Sequence, residues 1–472
     1  MKWTCAILCA TMLTGIGCGP PAESADALTG EAARAEQLMA AAGAANALDF
    51  RKVVQEAKSK VFPAVVFIKV LQESFESGKK VTREMFGSGV LISASGEAVT
   101  NWHVVDKAAE IRCLLYDGRH MDAKVIGKDK DTDLALIQLD VPEGAADLPH
   151  AEMGDSEALK EGDFVMAMGA PWGLSRSVSI GIISCTKRYL LNNSEYSLWL
   201  QTDAAISPGN SGGPLVNTDG KVIGINTRGI MRGGDTGFAV PSGTVRLITD
   251  RLREYGDVNW SWTGLRLQPL KDFNKDIYFD GDEGVIVSGT DPESPARRAG
   301  LRSRDRIMAI NGQPVTAMFE EDLPEVRQML GLLAKMEEAT LTLRRDGEVL
   351  TLAMSPREKG KVEGEELDCP RWNMTVKQIN QFDNKDLYFH RKEGVFIYGT
   401  KHPGNASKSG LEEQDIILKI DGKPLKTLED VEKVYDAAID NIDRKHRILF
   451  IVLRNGLMRQ IVLDFSRDYE RE

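Results

Sequence analysis

Residues 201–214 read Gln-Thr-Asp-Ala-Ala-Ile-Ser-Pro-Gly-Asn-Ser-Gly-Gly-Pro, with Ser211 standing among Gly209, Gly212 and Gly213. Glycines clear side chains from around a hydroxyl and accept backbone angles that other residues resist. Such a loop can aim the N–H groups of Gly209-Asn210-Ser211 at one point. Gly209 and Ser211 are the expected donors to an oxyanion formed when the Ser211 hydroxyl attacks a carbonyl. A serine alone is a weak nucleophile and needs a base and an orienter. Upstream stand His103, in Thr-Asn-Trp-His-Val-Val, and Asp133, in Asp-Thr-Asp-Leu-Ala-Leu-Ile. The chemistry this set could do is acyl transfer to Ser211 followed by hydrolysis. It calls for no cofactor and no metal.

Gly209-Asn210-Ser211-Gly212-Gly213 also fits the Gly-x-Ser-x-Gly turn of α/β-hydrolases. Chain order separates the two, because that fold runs serine, acid, histidine, and the chymotrypsin-like fold runs histidine, acid, serine. Here the order is His103, Asp133, Ser211. Taken singly, His103 could be a core histidine and Asp133 a turn acid beside Asp131, the competing acid. Jointly, with the glycine loop, they point to a triad. At residues 100–105, 131–136, 201–215 and 222–227 the chain resembles the HtrA (high-temperature-requirement, DegP-like) serine proteases. The family's Thr-Asp-Leu-Ala pattern favours Asp133 over Asp131. The resemblance implies a substrate pocket at Ala205 and Ile206, walled by Ile225, Asn226 and Thr227. The position six before Ser211 is Ala205, not an acid, which argues for a small or medium aliphatic P1 residue rather than Lys or Arg.

The chain has 472 residues, a span that suits two to four domains. Its net charge of −11 argues against nucleic acid as a partner, because phosphate neutralisation needs a basic surface. Met1-Lys2 followed by an apolar run to Gly17, broken by Gly19-Pro20-Pro21, reads as an export signal. Gly15-Ile16-Gly17-Cys18 resembles a lipoprotein cleavage site, with Cys18 the acylated residue and a lipid anchor the consequence. Ordinary cleavage is the alternative. Either way the protein is placed in the periplasm or cell envelope. Of six cysteines, Cys113, Cys185 and Cys369 lie beyond the signal, an odd set that is no disulfide framework. Cys113 and Cys185 read as small apolar residues, with a bridge between them the alternative in an exported chain.

The elements must bring His103, Asp133 and Ser211 together. After a tether (19–49), an apolar β-branched run at 61–70 reads as a buried strand, and 72–85 as a loop. Short strands follow at 87–92, 98–100, 110–116, 120–127, 134–139, 163–168, 177–184, 197–201, 214–217, 222–226 and 237–240, with Gly and Asp/Asn turns between them. That is barrel punctuation. His103 and Asp133 fall in its first half and Ser211 in its second. Val245, Ile248 and Leu252 recur at helical spacing over 242–255.

After Trp260 the chain repeats itself at a constant offset. Trp262, Asn274-Lys275-Asp276 and Gly312 recur as Trp372, Asn384-Lys385-Asp386 and Gly422. The signature Ala-Gly-Leu…Asp-x-Ile…Ile-Asn-Gly at 299–312 looks like a PDZ domain. Thr427-x-x-Asp430 reads as the capping box of its long helix.

The fold expected is mainly β. A signal (1–18) and tether (19–49) precede a chymotrypsin-like double β-barrel protease domain (50–256). Two PDZ domains of α+β partial-barrel type follow (260–356 and 371–466), joined by a charge-dense linker (357–370). PDZ domains take chain ends by strand addition. Thr263, Gly264 and Leu265 are the candidate carboxylate loop, and the second copy lacks that glycine. The resemblance further implies unfolded or misfolded envelope proteins and C-terminal peptides as partners. It also implies a homotrimer or multiple of trimers, with the apolar segment near Val61 and the loop at 186–196 as oligomer or sensing elements. The rival function is a chaperone or scaffold with dormant proteolysis.

Overall fold

The computed structural model describes residues 49–171, 176–230 and 236–469. The signal, Cys18 and nearly all of the tether lie outside the described residues. The chain divides into two compact units, Met1–Val53 and Val54–Glu472, and everything below belongs to the second.

Twelve strands form two closed barrels. The first comprises β1 (Val65–Glu76), β2 (Lys79–Leu91), β3 (Glu97–Thr100), β4 (Ala108–Leu114), β5 (His120–Asp129) and β6 (Leu134–Leu139), closed in the order β1-β2-β3-β6-β5-β4. The second comprises β7 (Phe164–Gly169), β8 (Ser177–Arg188), β9 (Trp199–Thr202), β10 (Pro214–Asn217), β11 (Val222–Ile230) and β12 (Thr236–Pro241), closed as β10-β11-β12-β9-β8-β7. A short helix α1 (Trp102–Val105) follows β3, and α2 (Ser242–Tyr255) closes the pair, burying Val245, Ile248 and Leu252. The expected double barrel and closing helix are thus present.

Two expectations fail here. Residues 72–85 are strand, not loop: β1 and β2 pair from Val65–Val90 out to Glu76–Lys79. The outer half shows no burial period because it projects beyond the barrel, exposed along most of Lys79–Phe86, and turns fully buried at Gly87. Diagonal ion pairs Lys69–Glu84 and Lys80–Glu73, both 2.6 Å, line it. Nor is the whole apolar run at 61–70 strand: Val61 ends a helix, Phe62–Ala64 form a 3-10 turn, and β1 begins at Val65. Val61, Phe62, Ala64, Val65, Val66, Ile68 and Val70 are all core.

The repeat copies follow. In the first, β13 (Ser261–Trp262) leads into the sheet β14 (Leu265–Gln268), β15 (Val285–Thr290), β16 (Arg306–Ile310), β17 (Ala339–Arg345) and β18 (Glu348–Met354), in sequential order, with helices α3 (Pro295–Arg298) and α4 (Leu323–Gly331). The segment expected as a plain linker holds two strands. β19 (Arg357–Glu358) pairs with β13, and β20 (Glu366–Cys369) joins the second sheet. That sheet runs β20, β21 (Met374–Gln378), β22 (Val395–Thr400), β23 (Ile416–Ile420), β24 (Arg447–Arg454) and β25 (Leu457–Asp464). Its helices are α5 (Lys385–His390), α6 (Asn405–Ser409) and α7 (Leu428–Asp440), the last opening on the expected Thr427–Asp430 capping box. Cys113, Cys185 and Cys369 are all free, so Cys113 and Cys185 form no bridge.

Candidate active site

Helix α1 sets His103 at the cleft between the barrels, and the turn from β5 to β6 sets Asp133, whose backbone is left-handed at φ +56°. The two segments are stitched together. Trp102 N donates to Asp133 O (3.1 Å), and His103 N donates to Asp133 Oδ1 (3.1 Å). His103 Nδ1 lies 2.9 Å from both carboxylate oxygens. An ionised carboxylate only accepts, so Nδ1 carries the proton and Nε2 is left as the acceptor. Asp131 faces elsewhere, its Oδ2 receiving Lys359 Nζ at 2.6 Å.

The nucleophile loop is built on a turn. Asn210 N donates to Ser207 O (2.9 Å), with Pro208 next and Gly209 at φ +99°, the pattern of a type II turn. Asn210, expected in the oxyanion hole, therefore uses its N–H to hold the turn. The N–H groups of Gly209 and Ser211 have no protein acceptor among the described residues. Gly212 is required by close approach, since a Cβ there would stand 2.1 Å from Ser88 O at a φ of +84°.

Ser88, which the sequence offered only as part of a strand, anchors this loop. Its N donates to Ser211 O (2.8 Å), and its Oγ donates to Gly209 O (2.6 Å) and accepts from Ala170 N (2.8 Å). Asn101 is a second residue missed. Buried between β3 and His103, its Nδ2 donates to Asp133 O (3.0 Å) and to Thr227 Oγ1 (2.8 Å), tying the acid of one barrel to a strand of the other. A polar residue two before His103 was the one signal for it.

The Ser211 hydroxyl donates to Thr227 O at 2.8 Å. No hydrogen bond joins it to His103 among the described residues. The imidazole–carboxylate pair is therefore assembled while the hydroxyl is parked on β11. Of the residues expected in the pocket, Ala205 and Ile206 are half-buried, and Ile206 lies against Gly237 of β12. Ile225 and Asn226 are wholly buried, and Asn226 Nδ2 donates to Met168 O (3.2 Å) and Pro214 O (3.0 Å). They pin the barrel rather than line a pocket. Thr227 is buried too and supplies the carbonyl that holds Ser211.

Behind the acid turn sits a buried carboxyl. Asp129 accepts from Trp260 Nε1 (3.0 Å), Thr132 N (2.9 Å) and Thr132 Oγ1 (2.6 Å). Burial, then the charge of Asp131, pushes its pKa up to about 6. Trp260 stacks on Tyr196 at 4.0 Å, and Lys359 Nζ bonds the Tyr196 hydroxyl at 3.1 Å. Helix α4 rests on the same corner, Gln328 Nε2 donating to Tyr196 O at 3.0 Å.

Residues 87–225 match the trypsin-like peptidase domain family, and residues 286–345 match the PDZ domain family. A probable periplasmic serine endoprotease, DegP-like, of Marinomonas sp. (strain MWYL1) is 36% identical over 360 residues, covering 75% of this chain and 74% of that one. The chain belongs to the DegP/HtrA family of serine endoproteases. The periplasmic serine endoprotease DegP of Escherichia coli (strain K12) is 34% identical over 377 residues, 78% of this chain and 76% of that one. A solved structure described as the HtrA-type protease AlgW with tripeptide superposes with a TM-score of 0.57 at 31% identity, over 65% of this chain and 97% of that one.

This HtrA-family endopeptidase carries two unlike PDZ copies. In the first, Thr263 O accepts from Ala296 N (3.0 Å) and Gly264 O from Asp291 N (2.8 Å). Trans peptides point N–H opposite to the preceding C=O, so the N–H of Gly264 faces outward, while that of Leu265 donates to Thr263 Oγ1 at 3.2 Å. Gly264 has φ +71°, and a Cβ there would strike Ser294 Cβ at 2.2 Å. Among the described residues strand β14 pairs only with β15, which leaves its other edge open. In the second copy β21, the matching strand, has β20 on that edge, in the register Glu366–Lys377 to Cys369–Met374. Leu367 of β20 packs on the core that includes Val431 of α7, as does Tyr435.

Proposed function

We propose that this endopeptidase works in the periplasm on unfolded or misfolded envelope proteins, with Ser211, His103 and Asp133 as its triad. Ser211 Oγ attacks the scissile carbonyl carbon while its proton passes to His103 Nε2. Collapse of the tetrahedral adduct breaks the C–N bond, and that proton leaves with the amine. Water then repeats the sequence on the ester and frees the serine. Asp133 holds the Nδ1–H tautomer and stabilises the imidazolium. Gly209 N and Ser211 N receive the oxyanion; removing one such donor typically costs about 2.7–4 kcal/mol of barrier lowering. The observation that carries the reading is the His103–Asp133 pair, doubly bonded at 2.9 Å and joined through Asn101 to the strand that holds Ser211.

The parked hydroxyl favours a second reading, in which proteolysis is dormant until a χ1 rotation of Ser211 turns Oγ from Thr227 O toward Nε2. Turnover of unfolded casein by wild type and by Ser211→Ala separates the two. The triad reading expects a loss of at least about 10³-fold in the variant, given the residual catalysis that binding and the oxyanion hole supply. Equal, negligible turnover by both proteins with aggregation still suppressed would favour a chaperone. Ala205 and Ile206 support a small or medium aliphatic P1 residue. Family likeness supports a trimer or a multiple of it, and export with or without an acyl chain on Cys18.

A further inference from the structure

A single cleft of about 1000 Å³ runs from Trp102 and Asp133 of the protease, past Gly264–Leu267 of the first copy, to Lys385 and Phe389 on α5 of the second and Lys392 just beyond it. Its charges do not cancel. Every acid lining it has a partner: Asp133 with His103, Asp131 with Lys359 (2.6 Å), Glu195 with Arg327 (3.8 Å), Asp291 with Arg266 (2.6 Å) and Asp383 with Lys377 (2.7 Å). Among the lining cations, Lys130 is likewise paired, with Glu363. Lys385 and Lys392 have no carboxylate partner among the described residues, and Lys392 rests over the Tyr388 ring at 4.4 Å. These two ammonium groups are the lining cations left without a carboxylate, while at the protease end Asp133, facing a neutral imidazole, keeps its own negative charge.

The repeat explains how they became free. Lys275, which matches Lys385, is held by Asp272 (2.5 Å) and Glu320 (3.2 Å) inside the first copy. At the position matching Asp272 the second copy has Phe382, whose ring meets Trp262 of the first copy edge-on at 6.3 Å. Beyond Pro424 the offset shortens by two, so Asp430 matches Asp322, each carboxylate capping the helix that follows, and Leu428 stands at the position matching Glu320. Lys392 stands where the first copy has Asp282. Loss of the internal acids leaves Lys385 and Lys392 without a carboxylate, and Phe382 brings the start of α5 beside the carboxylate loop of its neighbour. Arg357 strengthens the seam, its guanidinium lying 4.1 Å over Trp262 and donating to Gln381 Oε1 at 3.1 Å.

We propose that the second PDZ copy completes the ligand site of the first and makes it selective for acidic chain ends. The ligand is an extended C-terminal segment added to the edge of β14. Its terminal carboxylate meets the N–H of Gly264 and takes that of Leu265 in place of Thr263 Oγ1. An Asp or Glu within its last few residues meets Lys385 and Lys392. This rests on the reading of the first copy as a chain-end binder.

The test uses the full chain carrying Ser211→Ala, so that peptides are bound and not cut. Fluorescence anisotropy compares a decapeptide ending Asp-Ala-Val, its Asn-Ala-Val isostere, and the isostere with an amidated end. The acidic peptide is expected to bind about five- to tenfold more tightly than the isostere, the yield of two partly exposed ion pairs, and the gap should shrink as salt is raised. In Lys385→Gln/Lys392→Gln the gap closes while the isostere keeps its affinity. Equal binding of acidic and neutral peptides, or a gap that survives the double substitution, overturns the composite site. If the isostere still outbinds its amide in that event, the chain-end reading of the first copy stands. If no peptide binds, both fall.

Discussion

The two PDZ copies share a signature and a sheet order, yet one offers an edge and the other has filled it. β14 is open along one side, whereas β21 carries β20 there, with Leu367 seated against the α7 core as a ligand side chain would be. The closure is fastened from outside as well. Glu366 of β20 pairs with Lys107 of the protease (2.9 Å) and with Lys377 of β21 (3.2 Å). The tip of the β1–β2 hairpin presses on the same copy, with Gly78 so close that a Cβ would meet Lys401 N at 2.4 Å. The lesson is one of division of labour. A duplicated binding domain becomes a structural one when its own chain supplies the ligand strand, because an internal strand pays no association entropy.

The largest expected effect that would break this contrast is at the carboxylate loops. Gly264→Val in the Ser211→Ala protein should cost at least about 100-fold in affinity for a free-ended peptide, because the new side chain meets Ser294 at an unfavourable φ. Met374→Gly at the matching position should leave that affinity unchanged. A Gly264→Val protein that binds normally, with its fold intact by circular dichroism, would end the contrast. Next comes the filled edge. Leu367→Asp should dislodge β20, so that β21 amides exchange faster and calorimetric stoichiometry rises from one peptide per chain toward two. Unchanged protection of β21 would show that β20 is held by something other than its apolar seat.

The smallest effect sharpens how the first copy is fastened, through Trp260 to the buried Asp129. This carboxyl stands at about 6 in the fold against an ordinary 3.8. The folded state therefore holds the proton more tightly than the unfolded chain does. The contribution to stability is fully present below about 3.8 and is lost as pH rises through about 6. Calorimetric Tm of wild type minus that of Asp129→Asn should fall between pH 4 and 7 and level off above. A flat difference would mean that Asp129 does not titrate in that range.

Much of this was legible in the residue string, and the parts that were not have physical causes. Closely spaced apolar strands and turn residues disclosed both barrels, since each strand's burial is written into its own side chains. The outer β1–β2 hairpin escaped because strands exposed on both faces have no apolar period. β20 escaped because Glu366-Leu367-Asp368-Cys369 is charge-rich, and its pairing is set by an edge far along the fold. The chemistry at Ser211, His103 and Asp133 was readable from residue type and order, but the hydroxyl's hold on Thr227 O is a rotamer, which no string encodes. The roles of Ser88 and Asn101 are hydrogen bonds between segments distant in sequence. The repeated tryptophans looked equivalent, yet Trp372 is fully buried against Tyr435, Phe450 and Phe465, while Trp262 stands in the cleft under Arg357. That difference arises from their partners and not from themselves.

The central claim is that one hydroxyl is made nucleophilic by the His103–Asp133 pair. Peptide mapping after treatment with a fluorophosphonate tests it most directly, since only an activated serine oxygen readily displaces the fluoride from phosphorus to leave a phosphonate ester. The account predicts one adduct, on Ser211, formed by wild type and lost in His103→Ala. An adduct on another serine, or labelling of Ser211 undiminished without His103, would contradict it.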